Sequence, residues 1–225
     1  MNNDCINCAF KSKSARALTD GQLEHLSCNN ATVKFIRGSQ VLTQGALSTN
    51  VVYLRSGLAK IHLAGPYHEQ IVRIVTAPRY LGLPTTIGDK INQYSVTAIT
   101  GAEVCFIDMS TFRQLLKESD IFSYEIILDL CKDELESIRR CATRTQKQTR
   151  GNIADMLLEF SNHLYKSDTF LLPVSQADIG NLVDTSRESV SRILSEFHKD
   201  GIIKVSGKKV EILNKKSLQL ISQNG

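Results

Sequence analysis

The chain has 225 residues, of which 42% are apolar and 22% charged, with a formal net charge of +4. This is the balance of a folded soluble protein with one or two cores, and it excludes extensive disorder. The mild positive charge permits a nucleic-acid partner without requiring one, and no window approaches the ~20 apolar residues needed to span a bilayer.

The first residues, "MNNDCINC", are polar and acidic where a secretory signal would be basic and then apolar. A cytoplasmic protein is therefore expected, with its six cysteines reduced rather than locked in structural disulfides. Cys5 and Cys8 form a C-x-x-C pair, which can grip a metal, exchange a disulfide reversibly or do neither. A thiol-redox enzyme normally places such a pair at a helix N-terminus after a strand. No strand pattern precedes this pair, so that reading ranks last.

From there to about Ile107 the chain reads as short strands: "VKFI", "VVYLR", "AKIHLA", "QIVRIV", "SVTAI" and "EVCFI". Glycines at 38, 45, 57, 65, 82, 88 and 101 punctuate them, where positive φ suits tight turns. Many short strands with frequent turns predict a β-sandwich or barrel. Ser110 is expected to cap a short helix carrying Phe112, Leu115 and Leu116.

A long helix follows. Ile127, Cys131, Leu135, Ile138, Ala142 and Thr145 recur at helical spacing and form one seam. Roughly 25 residues at about 1.5 Å each make a rod near 38 Å. Lys132, Asp133, Glu136, Arg139 and Arg140 occupy the opposite face. The seam suits packing on the helix's own domain or a two-chain coiled coil equally well.

After another amphipathic helix, "IADMLLEFSNHLY", Ser175-x-x-Asp178 resembles a capping box opening a short helix through Val183. "DTS" makes a turn, Thr185 or Ser186 caps the next helix, and that helix runs to Lys199 before Gly201. On a helical wheel Val190, Ile193, Leu194 and Phe197 share one arc, and Arg187, Glu188, Ser191 and Arg192 share the opposite one. Arginine can bond guanine O6 and N7, and glutamate can accept from cytosine N4. "IIKVSGKKVEIL" then predicts a hairpin turning at Gly207, with Lys199, Lys204, Lys208, Lys209, Lys215 and Lys216 placed to meet phosphates. A solvated amphipathic helix would explain the second helix alone, but not the capped helix, tight turn and basic wing together.

These features make the chain similar to the cyclic-AMP receptor / fumarate-nitrate reduction regulator (CRP/FNR) family of bacterial transcription factors. "SRESVSRIL" resembles the family's recognition-helix signature, and "RGSQVLTQG" followed by "VVYLRSGLAKI" resembles the glycine pattern of its cyclic-nucleotide-binding β-roll. The resemblance covers nearly the whole chain. It implies an α+β architecture with a β-roll sensor over residues 1–118, preceded by a short helical segment. A dimerisation helix over 119–147 and a winged helix-turn-helix over 148–225 follow. It also implies a homodimer, with Ile127, Cys131, Leu135, Ile138 and Ala142 at the interface. The expected partners are an inverted-repeat duplex DNA and RNA polymerase. By position, Arg187, Glu188, Ser191 and Arg192 match base-reading residues, while Ser175, Ser186, Ser189, Ser206 and Lys208 match backbone contacts.

The family's cyclic-AMP cassette needs Gly-Glu at its start and Arg-Ser at its end, the arginine neutralising the phosphate and the glutamate holding the ribose. Here Gly82 precedes Leu83, and Tyr94 precedes Ser95. Cyclic AMP is therefore not expected, although Gly82, Leu83, Thr85, Tyr94, Ser95 and Ser137 remain the candidate effector positions. The family's oxygen-sensing branch uses three N-terminal cysteines and one from the β-roll. Cys5, Cys8 and Cys105 fall at three of those positions, but Ser14 stands at the other. Cys28 could complete a [4Fe–4S] set, which the altered spacing disfavours; zinc on the same thiolates and haem on His62 or His68 rank lower still.

Overall fold

The computed structural model describes residues 4–225, which divide into two compact units. The first comprises the chain up to Ala64 together with Arg73–Glu136, and the second comprises Gly65–Val72 and Ser137–Gly225.

The first unit opens with two short helices, α1 (Lys13–Arg16) and α2 (Asp20–Cys28). Thr19 caps α2 by accepting from the Gln22 backbone N–H, while the Gln22 side chain accepts from the Thr19 N–H. This reciprocal box satisfies two N–H groups that the first turn would leave unpaired. Strands β1 (Asn30–Phe35), β2 (Gln40–Leu42), β3 (Asn50–Ser56), β4 (Leu58–Ala64), β5 (Glu69–Thr76), β6 (Arg79–Leu81), β7 (Ser95–Ala98) and β8 (Ala102–Asp108) follow. They form two four-stranded sheets, ordered β1-β8-β3-β6 and β2-β7-β4-β5. The six expected strands are all present. The three-residue strands β2 and β6 are additional, because runs so short carry no alternation to read.

Between β6 and β7 the chain makes a π-helical turn, Thr85–Asp89, closed by the Lys90 N–H donating to the Thr85 carbonyl at 2.7 Å. Of the punctuating glycines, Gly38, Gly45, Gly57 and Gly82 have positive φ. Gly65, Gly88 and Gly101 do not, so turn position alone did not require the left-handed region there. Leu23, Leu26, Val51, Tyr53, Leu83, Ile107, Phe112, Leu115, Phe122 and Ile126 form the core beneath the first sheet. Burying each large apolar side chain contributes about 1.5–3 kcal/mol.

Helix α3 (Met109–Glu118) is capped by Asp108, not Ser110. The Asp108 carboxylate accepts from the N–H groups of both Ser110 and Thr111, so the helix starts two residues earlier than expected. Helix α4 (Asp120–Gln146) has 27 residues and belongs partly to each unit.

The second unit contains α5 (Thr149–Glu159), a π-helical turn (Phe160–Tyr165), β9 (Thr169–Leu171), α6 (Gln176–Val183), α7 (Arg187–Lys199), β10 (Ile203–Ser206), β11 (Lys209–Ile212) and α8 (Lys215–Asn224). The predicted β10–β11 hairpin gains β9 as a third strand. Residues Gly65–Val72 belong to this unit: Gln70 Nε2 donates to the Asn181 carbonyl at 2.6 Å, and Arg144 donates to the Val72 carbonyl at 2.7 Å.

Candidate functional site

Helices α6 and α7 are set by caps at both ends of their turn. Ser175 Oγ accepts from the Asp178 N–H at 3.0 Å, and the Asp178 carboxylate accepts in return from the Ser175 N–H at 3.2 Å. Helix α6 ends at Asp184, whose φ of 57° is left-handed. Ser186 then caps α7 by accepting from the Ser189 N–H at 3.1 Å.

Gly180 explains how so tight a turn fits. A Cβ there would lie 2.5 Å from the Thr185 carbonyl oxygen, closer than real Cβ contacts come. Thr185 in turn donates its N–H to the Gly180 carbonyl at 2.9 Å. A glycine in the middle of an eight-residue helix costs helix propensity, and close approach of the turn is what it gives in exchange. Nothing in the periodicity identified this residue; the isolated glycine inside a helical pattern was the available signal.

Val190 and Phe197 are fully buried, and Ile193 and Leu194 nearly so. Arg187, Glu188, Ser191 and Arg192 are all exposed on the other arc. The two arginines are not equivalent. Arg192 Nη1 pairs with Glu196 Oε1 at 2.7 Å, whereas Glu196 Oε2 takes Arg150 Nη1 at 2.7 Å. Arg150 also reaches Asp200 at 3.0 Å and stacks 4.8 Å over the Phe197 ring. Glu196 and Arg150 thus brace Arg192 from behind. Sequence reasoning missed both: the Arg150–Glu196 pair spans 46 residues, whereas Glu196 stands at i+4 from Arg192, a local signal that could have found it.

In the wing, β10 and β11 pair from Ile203–Ile212 to Ser206–Lys209, and Gly207 turns with φ 60°. Ser206, Lys199, Lys204, Lys208, Lys209 and Lys216 are exposed. Lys215 departs from expectation: its Nζ pairs with Asp168 at 2.6 Å and lies 3.2 Å from Ser161 Oγ. Those bonds from Lys215 and Ser161 hold the Asp168 carboxyl below its ordinary range. Lys215 therefore ties α8 to the chain before β9 instead of offering a charge to phosphate.

The cassette of the first unit is arranged in the opposite way. Leu83 is buried in the core. Thr85 and Thr86 hydroxyls donate to the Gly82 carbonyl at 2.8 and 2.9 Å, and Thr86 Oγ1 is 2.6 Å from Ser48 Oγ. Ser95 is buried, and its Oγ accepts from Gln40 Nε2 and the Gln44 N–H, both at 3.0 Å. Tyr94 is half-buried, and burial pushes its phenol up. Arg73, a neighbouring cation, is held by Asp133 through two bonds of 3.2 and 3.0 Å and by Glu136 at 3.7 Å. Asp133 also takes Arg79 at 3.1 Å. A cyclic nucleotide needs an unengaged cation for its phosphate and a carboxylate for its ribose. The residues here supply neither, so they do not fit that ligand. Ser137 is exposed on α4.

The [4Fe–4S] ligand set does not fit either. Ser14, at the third cluster position, is fully buried, and its Oγ lies 2.8 Å from Ser12 Oγ and 3.2 Å from Tyr80 Oη. Cys28 is exposed at the end of α2. Among the described residues no group of three or more His, Cys, Asp or Glu side chains is arranged to hold a metal ion. His62 is buried, with Nε2 2.8 Å from Thr97 Oγ1, and His68 is exposed 3.7 Å from Asp184.

The α4 seam is exposed. Ile127, Leu135 and Ile138 are 54%, 69% and 57% accessible, and Cys131 and Ala142 are exposed as well. It is the charged face that packs within each unit: Asp133 and Glu136 on Arg73, and Arg140 on Glu159 at 2.6 Å.

A double-sheet β-roll followed by a winged helix-turn-helix defines a regulator that binds DNA rather than an enzyme. Comparison with known proteins agrees. Residues 32–119 match the cyclic nucleotide-binding domain, and residues 151–221 match the Crp-like helix-turn-helix domain. The chain belongs to the CRP/FNR family of transcription regulators. It is 25% identical over 195 residues to a probable transcriptional activator of Rhizobium leguminosarum bv. viciae, spanning 84% of this chain and 80% of that one. It is likewise 25% identical over 185 residues to the transcriptional activator protein FnrA of Stutzerimonas stutzeri, spanning 79% and 75%. Among solved structures, FixK2 from Bradyrhizobium japonicum shares the fold with a TM-score of 0.77 at 18% identity, covering 85% of this chain and 96% of that one.

Proposed function

We propose that the chain acts as a homodimer that reads an inverted-repeat DNA site with α7 and answers to a signal other than cyclic AMP. The observation that carries the reading is the split of α7 into a buried apolar arc and an exposed arc of Arg187, Glu188, Ser191 and Arg192. In this reading Arg187 and Arg192 donate to guanine, Glu188 accepts from cytosine, and Ser191 contacts either base edge. Ser175, Ser186 and Ser189 at the helix N-termini, with Ser206 and Lys208 of the wing, set the register on the phosphates.

The exposed seam supports dimerisation. A row of Ile127, Cys131, Leu135, Ile138 and Ala142 facing water on a 27-residue helix is a surface that a second copy would cover. A two-fold dimer places two recognition helices about 34 Å apart, one turn of duplex. Relatives named transcriptional activators support RNA polymerase as a further partner. No described helix is long and apolar enough to cross a membrane, and a chromosomal target fits the cytoplasm.

The test is a mobility shift on a short inverted-repeat duplex, with mass measured by sedimentation. We expect one salt-sensitive complex containing two chains, and Leu135→Glu to yield a monomer that loses it. A Leu135→Glu variant that stays dimeric would overturn the seam assignment.

A further inference from the structure

The thiols at the cluster-type positions surround a fixed cation. Cys105 on β8 pairs in register with Thr32 on β1 and Tyr53 on β3, and residues opposite one another share a sheet face. Arg55 follows on β3, at the irregularity where the β3–β8 register shifts. Its Nη2 donates to Cys8 Sγ at 3.6 Å, and its Nη1 lies 3.5 Å from Thr32 Oγ1, which is itself 3.4 Å from Cys105 Sγ. Arg55 Nε is buried, with no hydrogen-bond partner among the described residues.

The N-terminal segment is fastened over this face. Tyr53 Oη donates to the Phe10 carbonyl at 2.6 Å, and the Arg55 guanidinium sits 5.8 Å from the Phe10 ring centroid. The Cys5 N–H donates to Ser27 Oγ at 2.9 Å, and Asn30 Nδ2 donates to Cys5 Sγ at 3.5 Å. Ile6 and Asn7 form a turn between the two cysteines, and Asp4 braces it by accepting from the Asn7 N–H at 3.1 Å and the Asn7 amide at 2.7 Å. The ends of such a turn have Cα atoms within about 7 Å, close to the span of a disulfide.

A guanidinium among thiols repels a metal cation, and this one presents a hydrogen-bond donor to the Cys8 sulfur. Burial pushes the thiols of Cys5 and Cys105 up, which keeps both protonated near neutral pH. We propose that Cys8, held by Arg55, is a hydroperoxide-reactive thiol, and that Cys5 resolves it to a reversible Cys5–Cys8 disulfide.

The steps balance as follows. The Cys8 sulfur attacks one peroxide oxygen; an S–O bond forms, the O–O bond breaks, and the departing oxygen leaves with the bond pair and takes the proton that the Cys8 thiol gives up. Cys5 then loses its proton and its sulfur displaces hydroxide from Cys8, forming S–S and releasing water. Two thiols are oxidised, and the hydroperoxide is reduced to water and the corresponding alcohol or a second water. A small thiol reverses the change by exchange.

The test uses the full chain, treated with hydrogen peroxide and mapped by peptide mass spectrometry. We expect a Cys5–Cys8 linked peptide lost on thiol treatment. In Cys5→Ser we expect a dimedone-trapped sulfenic acid on Cys8, and in Arg55→Gln a Cys8 reaction slowed roughly 10-fold, because the cationic donor beside the reacting sulfur is lost. An unlabelled Cys8 in Cys5→Ser, with exposed Cys28, Cys131 or Cys141 oxidised first, would overturn the proposal. So would an Arg55→Gln variant that reacts as fast as the parent, or stoichiometric zinc or iron bound by the parent and lost in Cys8→Ser. The Cys5→Ser trap decides alone if the arginine variant does not fold.

Discussion

The sensor cassette and the recognition helix treat polar side chains in opposite ways. In the cassette, Ser95 accepts two bonds from Gln40 and Gln44, Thr85 and Thr86 close on Gly82, and Arg73 is clamped by Asp133 and Glu136. On α7, Arg187, Glu188 and Ser191 face water, and only Arg192 has a partner in the exposed row of base-reading candidates, the half-exposed Glu196. A buried polar group must be satisfied by its own chain, whereas an exposed one is available to another molecule. Two segments inherited from one family pattern can therefore diverge in role without changing the fold.

That contrast predicts which properties each substitution moves. Phe197→Ala, at a fully buried site under α7, should cost about 3–5 kcal/mol of stability and remove DNA binding with it, as read by thermal unfolding and mobility shift together. Ser95→Ala removes a buried acceptor from the exposed Gln40 amide and the half-buried Gln44 N–H; it should cost about 1 kcal/mol in denaturant unfolding while DNA sequence preference stays unchanged. Arg187→Ala should do the reverse: discrimination at one base falls by about 1–3 kcal/mol while the melting temperature barely moves. A Ser95→Ala protein that keeps full stability, or an Arg187→Ala protein that loses it, would remove the distinction between the two regions. Smallest of all, Lys208→Ala should weaken binding to all sequences alike and lower the salt slope by about 1, measured by titration at several salt concentrations.

How much of this was legible beforehand depends on range. The α7 wheel, the Ser186 cap and the Gly207 turn are local, and they read directly from spacing and residue type. The Lys215–Asp168 pair joins residues 47 apart, so a lysine beside a basic wing looked available when it was not. Arg150 behind Glu196 was invisible for the same reason, although the Arg192–Glu196 pair itself is local at i,i+4. Periodicity located the α4 seam but not which face would pack inward. That was decided by Arg73, Arg79 and Glu159 gathering the charged face. Cys5, Cys8 and Cys105 could be matched to a family pattern one by one, but Arg55 stands at an irregularity in the β3–β8 pairing that residue types do not reveal.

The most direct measurement is fluorescence anisotropy of the full chain on an inverted-repeat duplex and on a scrambled duplex, across a salt series, for the parent and for Arg187→Ala/Glu188→Ala. The parent should prefer the inverted repeat, and the double variant should bind both duplexes with similar, still salt-dependent affinity. Equal binding of the two duplexes by the parent, or an unchanged preference in the double variant, would contradict the assignment of α7 as the reading element.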